Sequence, residues 1–346
     1  MTANVPDPAS THARLDALRH SALTPLVSVL LSTRNGSRYL EEALGSLAAQ
    51  TYPELEIVAV DDGSNDSTPD ILARFVARHP RTRLLRTEGV GLAAALHRAA
   101  GEATGAYLAR QDDDDRSHPE RIARQIRFFQ AHPEVGVLGT AATRIDEGGK
   151  AIGPYPVPST RAEIAAALRR GTPFVHGSVM MRREVYDASG GYRAAFQAAQ
   201  DVDLWLRIPK GIGFVNLPEP LYEWREHPGG VFARARDRQL FFAAVARVFA
   251  EERRASGADS IALLASAESP EDFFARYPRA DRALLRLGEL QVREGRTTEA
   301  RELLRRAMRS PRSLAPSLLW WALSVPVAWS PRGRRAAAAS KGERAR

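Results

Sequence analysis

The 346-residue chain predicts an α/β fold, a mostly parallel sheet flanked by helices, with an α-helical appendage after it. Three observations carry this expectation. Short, nearly continuous apolar runs alternate with stretches of helical periodicity between Leu26 and Thr140. The runs ending near Leu31, Val60 and Ala109 are each followed by a polar cluster, as in open α/β sheets whose ligands bind beyond the carboxyl ends of the strands. Beyond Val231 the composition shifts to Ala, Arg, Leu and Glu, and the spacing becomes helical.

The elements follow in order. Leu26 to Leu31 is apolar at almost every position, which suits a strand buried on both faces. After the polar turn Ser32 to Gly36, the residues Tyr39, Leu40, Ala43, Leu44 and Leu47 recur at helical spacing until Thr51-Tyr52-Pro53 stops them. Glu56 to Val60 predicts a second strand, closed by Asp61-Asp62-Gly63-Ser64. A helix from Pro69 to about Arg78, a strand from Arg83 to Arg86, a helix from Leu92 to Ala100 and a strand from Ala106 to Arg110 complete an alternation that requires right-handed crossovers. Ile122, Ile126 and Phe129 mark the buried face of a further helix, and Val135 to Thr140 resumes strand character. Phe174 to Met181 reads as another strand, Gly190-Gly191-Tyr192 as a loop, and Gln200 to Ile208 as a helix with Leu204, Trp205 and Ile208 on its apolar face.

Composition bounds the function. At 44% hydrophobic content the chain can bury a substantial core. The net charge of +8 does not imply nucleic acid, because Arg332, Arg334, Arg335, Lys341, Arg344 and Arg346, set against Glu343, concentrate most of it in the last residues. The absence of cysteine excludes disulfides, thiolate metal sites and cysteine nucleophiles, and fits a reducing compartment. Residues 1–24 lack the apolar core of a signal peptide and read as a flexible extension.

The chemistry centres on Gln111-Asp112-Asp113-Asp114-Asp115. Four consecutive carboxylates repel one another, and a divalent cation would offset that charge. On extended backbone Asp112 and Asp114 would share a face and Asp113 would point away, offering the two oxygen ligands that Mg²⁺ or Mn²⁺ uses alongside substrate phosphates. The same run also suits a solvated turn with Asp115 or Ser117 capping the next helix. An EF-hand is excluded, since Ser117 stands where its Gly is required and Ala123 where its closing Glu is required. Asp61 and Asp62 can accept hydrogen bonds from a base or ribose, or simply shape the turn. Gly89-Val90-Gly91-Leu92-Ala93-Ala94 has the form G-x-G-x-x-A but follows the third strand, so it reads as a flexible turn near the ligand and not as a dinucleotide fingerprint. Asp201 at a helix start suits capping and the helix dipole.

Taken together, Val27-Ser28-Val29 with Asn35, Val60-Asp61-Asp62-Gly63-Ser64, Tyr107 to Asp115 with Pro119-Glu120-Arg121, and Asp201 with Leu204-Trp205-Leu206-Arg207 resemble the family-2 inverting glycosyltransferases of GT-A fold, a Rossmann-like sheet, over about Pro25 to Val231. The resemblance implies a nucleotide-sugar donor, UDP-linked in most members, and a hydroxyl acceptor in surface polysaccharide or lipid-linked glycan synthesis. By position, Ser32, Arg34, Asn35, Asp61, Asp62, Asp112 and Asp113 would contact the donor. Asp112, Asp114 and His227 would hold Mn²⁺ or Mg²⁺, and Asp201 would be the catalytic base. His176, Gly177 and Ser178 would edge the acceptor pocket, although His176 also suits a core histidine. Gln200 stands where a Glu often precedes the base, Arg34 where an aromatic residue often stacks on the donor base, and His97 where a related subgroup has Asn. The Gln-x-x-Arg-Trp motif of processive synthases is absent, which favours single addition. A nucleotidyltransferase would want a Gly-rich phosphate loop with Lys, which Ser32 to Gly36 lacks, and a non-catalytic nucleotide-binding scaffold would show no donor turnover with Mn²⁺.

The expected organisation is a flexible extension at 1–24, a GT-A domain at 25–231, a helical region at 232–313, an apolar helix at 314–330 and a basic disordered tail at 331–346. Leu284 to Ala307 reads as one helical hairpin, too short for a repeat array. The apolar stretch carries Trp320, Trp321 and Trp329, is interrupted by Pro316 and Pro326, and falls short of the ~20 residues needed to span a bilayer. It suits either packing against the rest of the chain or an anionic membrane interface, which would place the protein at the cytoplasmic face.

Overall fold

A strand that is apolar at almost every position has to be covered on both sides, and the computed structural model, which describes residues 24–227 and 236–324, provides that cover. Strands β1 (Val27–Thr33), β2 (Leu55–Asp62), β3 (Thr82–Thr87) and β4 (Tyr107–Gln111) run parallel, with Val27 opposite Leu55 and Tyr107. Helices α1 (Leu40–Ala48), α2 (Thr68–Arg78) and α3 (Leu92–Glu102) connect them. Val27, Val29 and Leu31 point to one face and pack with Leu40, Leu44, Ile71 and Leu72, while Leu30, Val58 and Val60 point to the other and meet Ala95, Leu96 and Ala99 of α3. The side-chain period of two thus feeds two separate cores from one strand.

After β4 the sheet becomes mixed. The two-residue β5 (Arg116–Ser117), helix α4 (Arg121–Ala131), β6 (Val135–Ile145), β7 (Ala151–Tyr155), α5 (Arg161–Arg170), β8 (Met180–Arg182), α6 (Arg183–Ala188), α7 (Gln200–Trp205) and β9 (Gly213–Arg225) follow. The strand order is β3-β2-β1-β4-β8-β6-β9-β5, with β7 paired to β6. Strand β8 is antiparallel to both β4 and β6, and β9 runs parallel to β6.

Two departures from the sequence pattern have local causes. The strand expected over Phe174 to Met181 is confined to β8, because His176–Ser178 forms a 3-10 turn in which the Ser178 hydroxyl donates to the Val175 carbonyl at 2.8 Å. Strand β9 was not legible, since Pro218 and Pro220 interrupt its pattern. The ladder absorbs them by a shift in register from Thr140 opposite Leu217 to Ala141 opposite Pro220.

The chain divides into two compact units, Met1–Phe242 and Ala243–Arg346. The boundary expected at Val231, most of the N-terminal extension, Trp329 and the basic tail lie outside the described residues. Helix α8 (Arg236–Ser256) carries the chain from the first unit into the second. There α9 (Ile261–Ala265), α10 (Pro270–Arg276), α11 (Ala280–Arg293), α12 (Thr297–Ala307) and α13 (Pro311–Leu323) follow. Helices α11 and α12 form the expected hairpin, and Gly288 lets Leu304 pack so closely that a Cβ there would lie 2.8 Å from it. The apolar helix begins at Pro311, not Leu314, and runs through Pro316. Proline suits a helix start, and the one N–H lost at Pro316 is outweighed by packing on α11 and α12.

Leu96 is fully buried whereas Val90 is half exposed. Leu96→Ala should therefore lower unfolding free energy by ~2–5 kcal/mol in urea titrations, and Val90→Ala by less than ~0.5 kcal/mol. Equal effects would show that α3 does not cover the sheet.

Candidate active site

Parallel pairing brings the carboxyl ends of β1, β2 and β4 side by side, with Thr33 opposite Asp61 and Leu31 opposite Gln111. The three polar clusters therefore converge at one sheet edge. Asn35 stitches the first two together: its N–H donates to the Ser64 hydroxyl and its side-chain oxygen accepts from the Asn65 N–H, both at 2.9 Å. It does so at φ +56°, a left-handed conformation that Asn tolerates better than most residues. Ser32 is buried at the end of β1, and Arg34 lies exposed against the backbone of Gly89.

Asp62 organises the Gly89–Gly91 turn. Its carboxylate accepts from the Thr87 hydroxyl at 2.6 Å, the Val90 N–H at 2.7 Å and the Gly91 N–H at 2.8 Å. Burial by itself would raise this carboxyl, but these donors and the Arg34 charge hold it below its usual range. Asp61 accepts from the Ser64 N–H at 3.0 Å and lies 4.0 Å from the exposed Arg86 guanidinium.

The acidic run departs from the expected alternation. Strand β4 stops at Gln111 and the chain bends, so the four carboxylates fan out to four partners. Asp112 pairs with the Arg110 guanidinium, and Asp113 accepts from the Thr33 hydroxyl. Asp114 meets His227 Nε2 at 2.9 Å, and Asp115 accepts from the Arg225 N–H at 2.7 Å. Gly36 is required beside Asp113, since a Cβ there would lie 2.3 Å from the Asp113 carboxylate and the Thr33 hydroxyl. Asp115 is 1% exposed and structural. The side chains of Asp112 and Asp114, at 28% and 30%, keep access to solvent.

Burial, followed by the charges of neighbouring aspartates, pushes the carboxyls of Asp113, Asp114 and Asp115 upward, Asp113 to about 7. Two buried cations lie beneath them. Arg110 is 4% exposed, and Arg121 is fully buried, donating to the carbonyls of Arg110 at 2.9 Å and Gly177 at 2.7 Å with its guanidinium 5.4 Å from the Tyr222 ring centroid. Burial lowers Arg121 to about 10, and two of its nitrogens have no hydrogen-bond partner among the described residues. Gln111 ties the bend together, its amide donating to the carbonyls of Asp112 and Asp115, both at 3.0 Å.

A hard divalent cation fits this oxygen-rich, self-repelling loop, with Asp112 and Asp114 accessible and His227 adjacent. Among the described residues no set of three or more His, Asp or Glu side chains is assembled as a cage, so substrate oxygens or water would complete the coordination.

The 3-10 turn packs against the acidic run, and α7 lies beside that turn. Gly177 sits where a Cβ would lie 2.0 Å from the Tyr222 hydroxyl and 2.6 Å from an Asp112 oxygen, so only glycine permits the approach. Next to it, His176 Nε2 is hydrogen bonded to the Tyr192 hydroxyl at 2.8 Å, and its ring lies 6.4 Å from that of Trp205. Trp205 stands one helical turn after Asp201. His176 is partly exposed and not a sealed core histidine. Burial and then the Arg110 charge lower its pKa, while Asp201 and Asp112 oppose them.

Helix α7 holds two carboxylates with different fates. Asp203 is fully buried and clamped by Arg193 and Arg207. Asp201 is partly exposed and makes no hydrogen bond or ion pair among the described residues. Ala199, just before α7, has φ +50°, a costly conformation for a side chain with a Cβ and one that sets the entry to this helix. The sequence reading missed Arg110, Arg121, Thr33 and Tyr222. Its available signal was a charged residue inside an apolar strand and another at helical spacing with Gln125 and Phe129.

The family model described as glycosyl transferase family 2 matches residues 28–190. EpsE from Bacillus subtilis strain 168, which carries a glycosyltransferase designation, is 36% identical over 211 residues, 58% of this chain and 73% of EpsE. The amylovoran biosynthesis glycosyltransferase AmsE from Erwinia amylovora is 33% identical over 204 residues, 58% of this chain and 76% of AmsE. Among solved structures, residues 1-349 of TarS from S. aureus in complex with UDP-GlcNAc align with a TM-score of 0.56 at 18% identity, covering 86% of this chain and 89% of that one. The mannosyltransferase PcManGT from Pyrobaculum calidifontis, in complex with GDP-Man and Mn²⁺, aligns with a TM-score of 0.51 at 21% identity over 91% and 92% of the two chains. These two share the GT-A fold. The sheet edge with its three converging loops falls within the matched region, and by that match and its identity to EpsE and AmsE over most of their lengths this chain belongs to glycosyltransferase family 2.

Proposed function

We propose that the protein is an inverting, metal-dependent glycosyltransferase. It moves a sugar from a nucleotide-sugar donor, UDP-linked in this reading, to a hydroxyl acceptor in surface polysaccharide or lipid-linked glycan synthesis. The observation that supports it most is that Gly177 abuts Asp112 while its neighbour His176 contacts Trp205, one helical turn from Asp201, so one short turn links the neighbourhoods of the two carboxylates. A monosaccharide between them would have its leaving diphosphate on the acidic-loop side and its acceptor on the Asp201 side. TarS with UDP-GlcNAc and PcManGT with GDP-Man support a nucleotide-sugar donor, and AmsE, which is named for amylovoran biosynthesis, supports a biosynthetic role of that kind.

In this mechanism Ser32, Arg34, Asn35, Asp61 and Asp62 form the nucleotide side, where Asp62 acts chiefly by holding the Gly89–Gly91 turn, and Asp113 holds the loop to Thr33. A divalent cation at Asp112 and Asp114, beside His227, would neutralise charge on the departing diphosphate. Asp201 accepts the acceptor's hydroxyl proton. The freed oxygen bonds to the anomeric carbon from the face opposite the leaving group, the carbon–oxygen bond to the nucleoside diphosphate breaks, and configuration inverts.

Three outcomes test the reading. Asp201→Asn should leave donor affinity by calorimetry within about twofold while transfer falls by ~10²- to 10⁴-fold; undiminished turnover would remove Asp201 from the role. Asp114→Ala should weaken Mn²⁺-dependent donor binding by at least about tenfold, and unchanged binding would place the cation elsewhere. The third concerns pH. The raised carboxyls of the acidic loop mean that the metal-free folded chain holds more protons than the unfolded one between the ordinary carboxylate range and about 7, so this cluster's contribution to stability falls as pH rises through that window. Mn²⁺ should therefore raise the melting temperature more at about pH 8 than at about pH 5, and a gain independent of pH would contradict the cluster as the binding site.

A further inference from the structure

Helix α13 has its polarity reversed. Ser313, Ser317 and Ser324 are at most 1% exposed and face the second unit, whereas Leu314, Leu318, Leu319 and Leu323 are 43%, 47%, 61% and 60% exposed. The serine side has a constructed polar environment in part: Ser313 donates to Asp281 at 2.6 Å and Ser324 accepts from Arg301 at 3.3 Å, while the Ser317 hydroxyl is buried with no hydrogen-bond partner among the described residues. Trp320 and Trp321 lie under the guanidinium groups of Arg293 and Arg301, at 4.8 and 5.7 Å. No charged residue occurs between Ser313 and Ser324. An amphipathic helix in water shows the opposite arrangement, and a contiguous exposed leucine face marks an interaction surface.

The sequence supplies the partner's chemistry. After Ser324 come Val325, Val327 and Trp329, then Arg332, Arg334 and Arg335, and the last sixteen residues carry six basic side chains against one acidic one. An apolar face followed directly by clustered cations complements an apolar phase bounded by negative charge. We propose that the leucine face of α13 docks on the surface of an anionic lipid bilayer, lying in the interface without crossing it. No helix among the described residues is long and apolar enough to span a membrane, so the contact is peripheral. The inference is independent of the donor and of Asp201.

The test is flotation of the full chain with vesicles of phosphatidylglycerol and phosphatidylcholine in equal parts, and with phosphatidylcholine alone. The protein should float with the anionic vesicles only, and added salt should release it. Leu318→Ser/Leu319→Ser should reduce the bound fraction roughly tenfold or more with donor binding intact, and Arg332→Gln/Arg334→Gln/Arg335→Gln should reduce partitioning by about fivefold per charge removed. Should the leucine pair variant lose its far-ultraviolet circular dichroism, Leu319→Ser alone serves, its site being the most exposed of the four. Failure of the full chain to float with either vesicle, or wild-type flotation by the leucine variants, would overturn the proposal. So would lipid-free, concentration-dependent self-association that Leu319→Ser abolishes, which would assign the face to a second copy of the chain.

Discussion

Repulsion among four adjacent carboxylates is the constraint around which the catalytic unit is arranged. The chain cannot leave them extended side by side, so each is drawn to a different element: Arg110 in β4, Thr33 in β1, His227 after β9, and the Arg225 N–H in β9 itself. The acidic bend thereby becomes the knot that joins the parallel half of the sheet to its mixed half. Arg110 and Arg121 sit beneath it, and burying the Arg110 guanidinium is tolerable because the Asp112 carboxylate pairs with it.

The opposite wall depends on close approach. Gly177 brings the 3-10 turn against Tyr222 and Asp112, and its neighbour His176 is held by the Tyr192 hydroxyl beside Trp205. Within α7 the division of labour is set by burial. Asp203 spends its charge on Arg193 and Arg207 and fixes the helix, leaving Asp201 at the start of the same helix without a committed partner.

The second unit follows other rules. Its α11–α12 hairpin is closed by ordinary leucine and alanine packing around Gly288, yet α13 turns serines inward and leucines outward. A helix so arranged gives up apolar burial within its own unit, and the surface it presents is the part of the chain least suited to water.

Much of this protein was legible without coordinates. The strands β1 to β4, the helices between them and the three polar clusters at one sheet edge follow from apolar period and turn chemistry, because those are local signals repeated over several residues. The candidate residues Asp112, Asp114, His227 and Asp201 could be named from type and order alone. Tertiary structure decided the rest. It confined the strand after Phe174 to β8, threaded β9 past Pro218 and Pro220, bent the acidic run out of extended geometry, and gave Asp62 to the Gly89–Gly91 turn. It also clamped Asp203 between Arg193 and Arg207, and turned α13 inside out. Each of these depends on a partner distant in the chain, and a local pattern carries no information about which charge, ring or carbonyl folding will bring alongside.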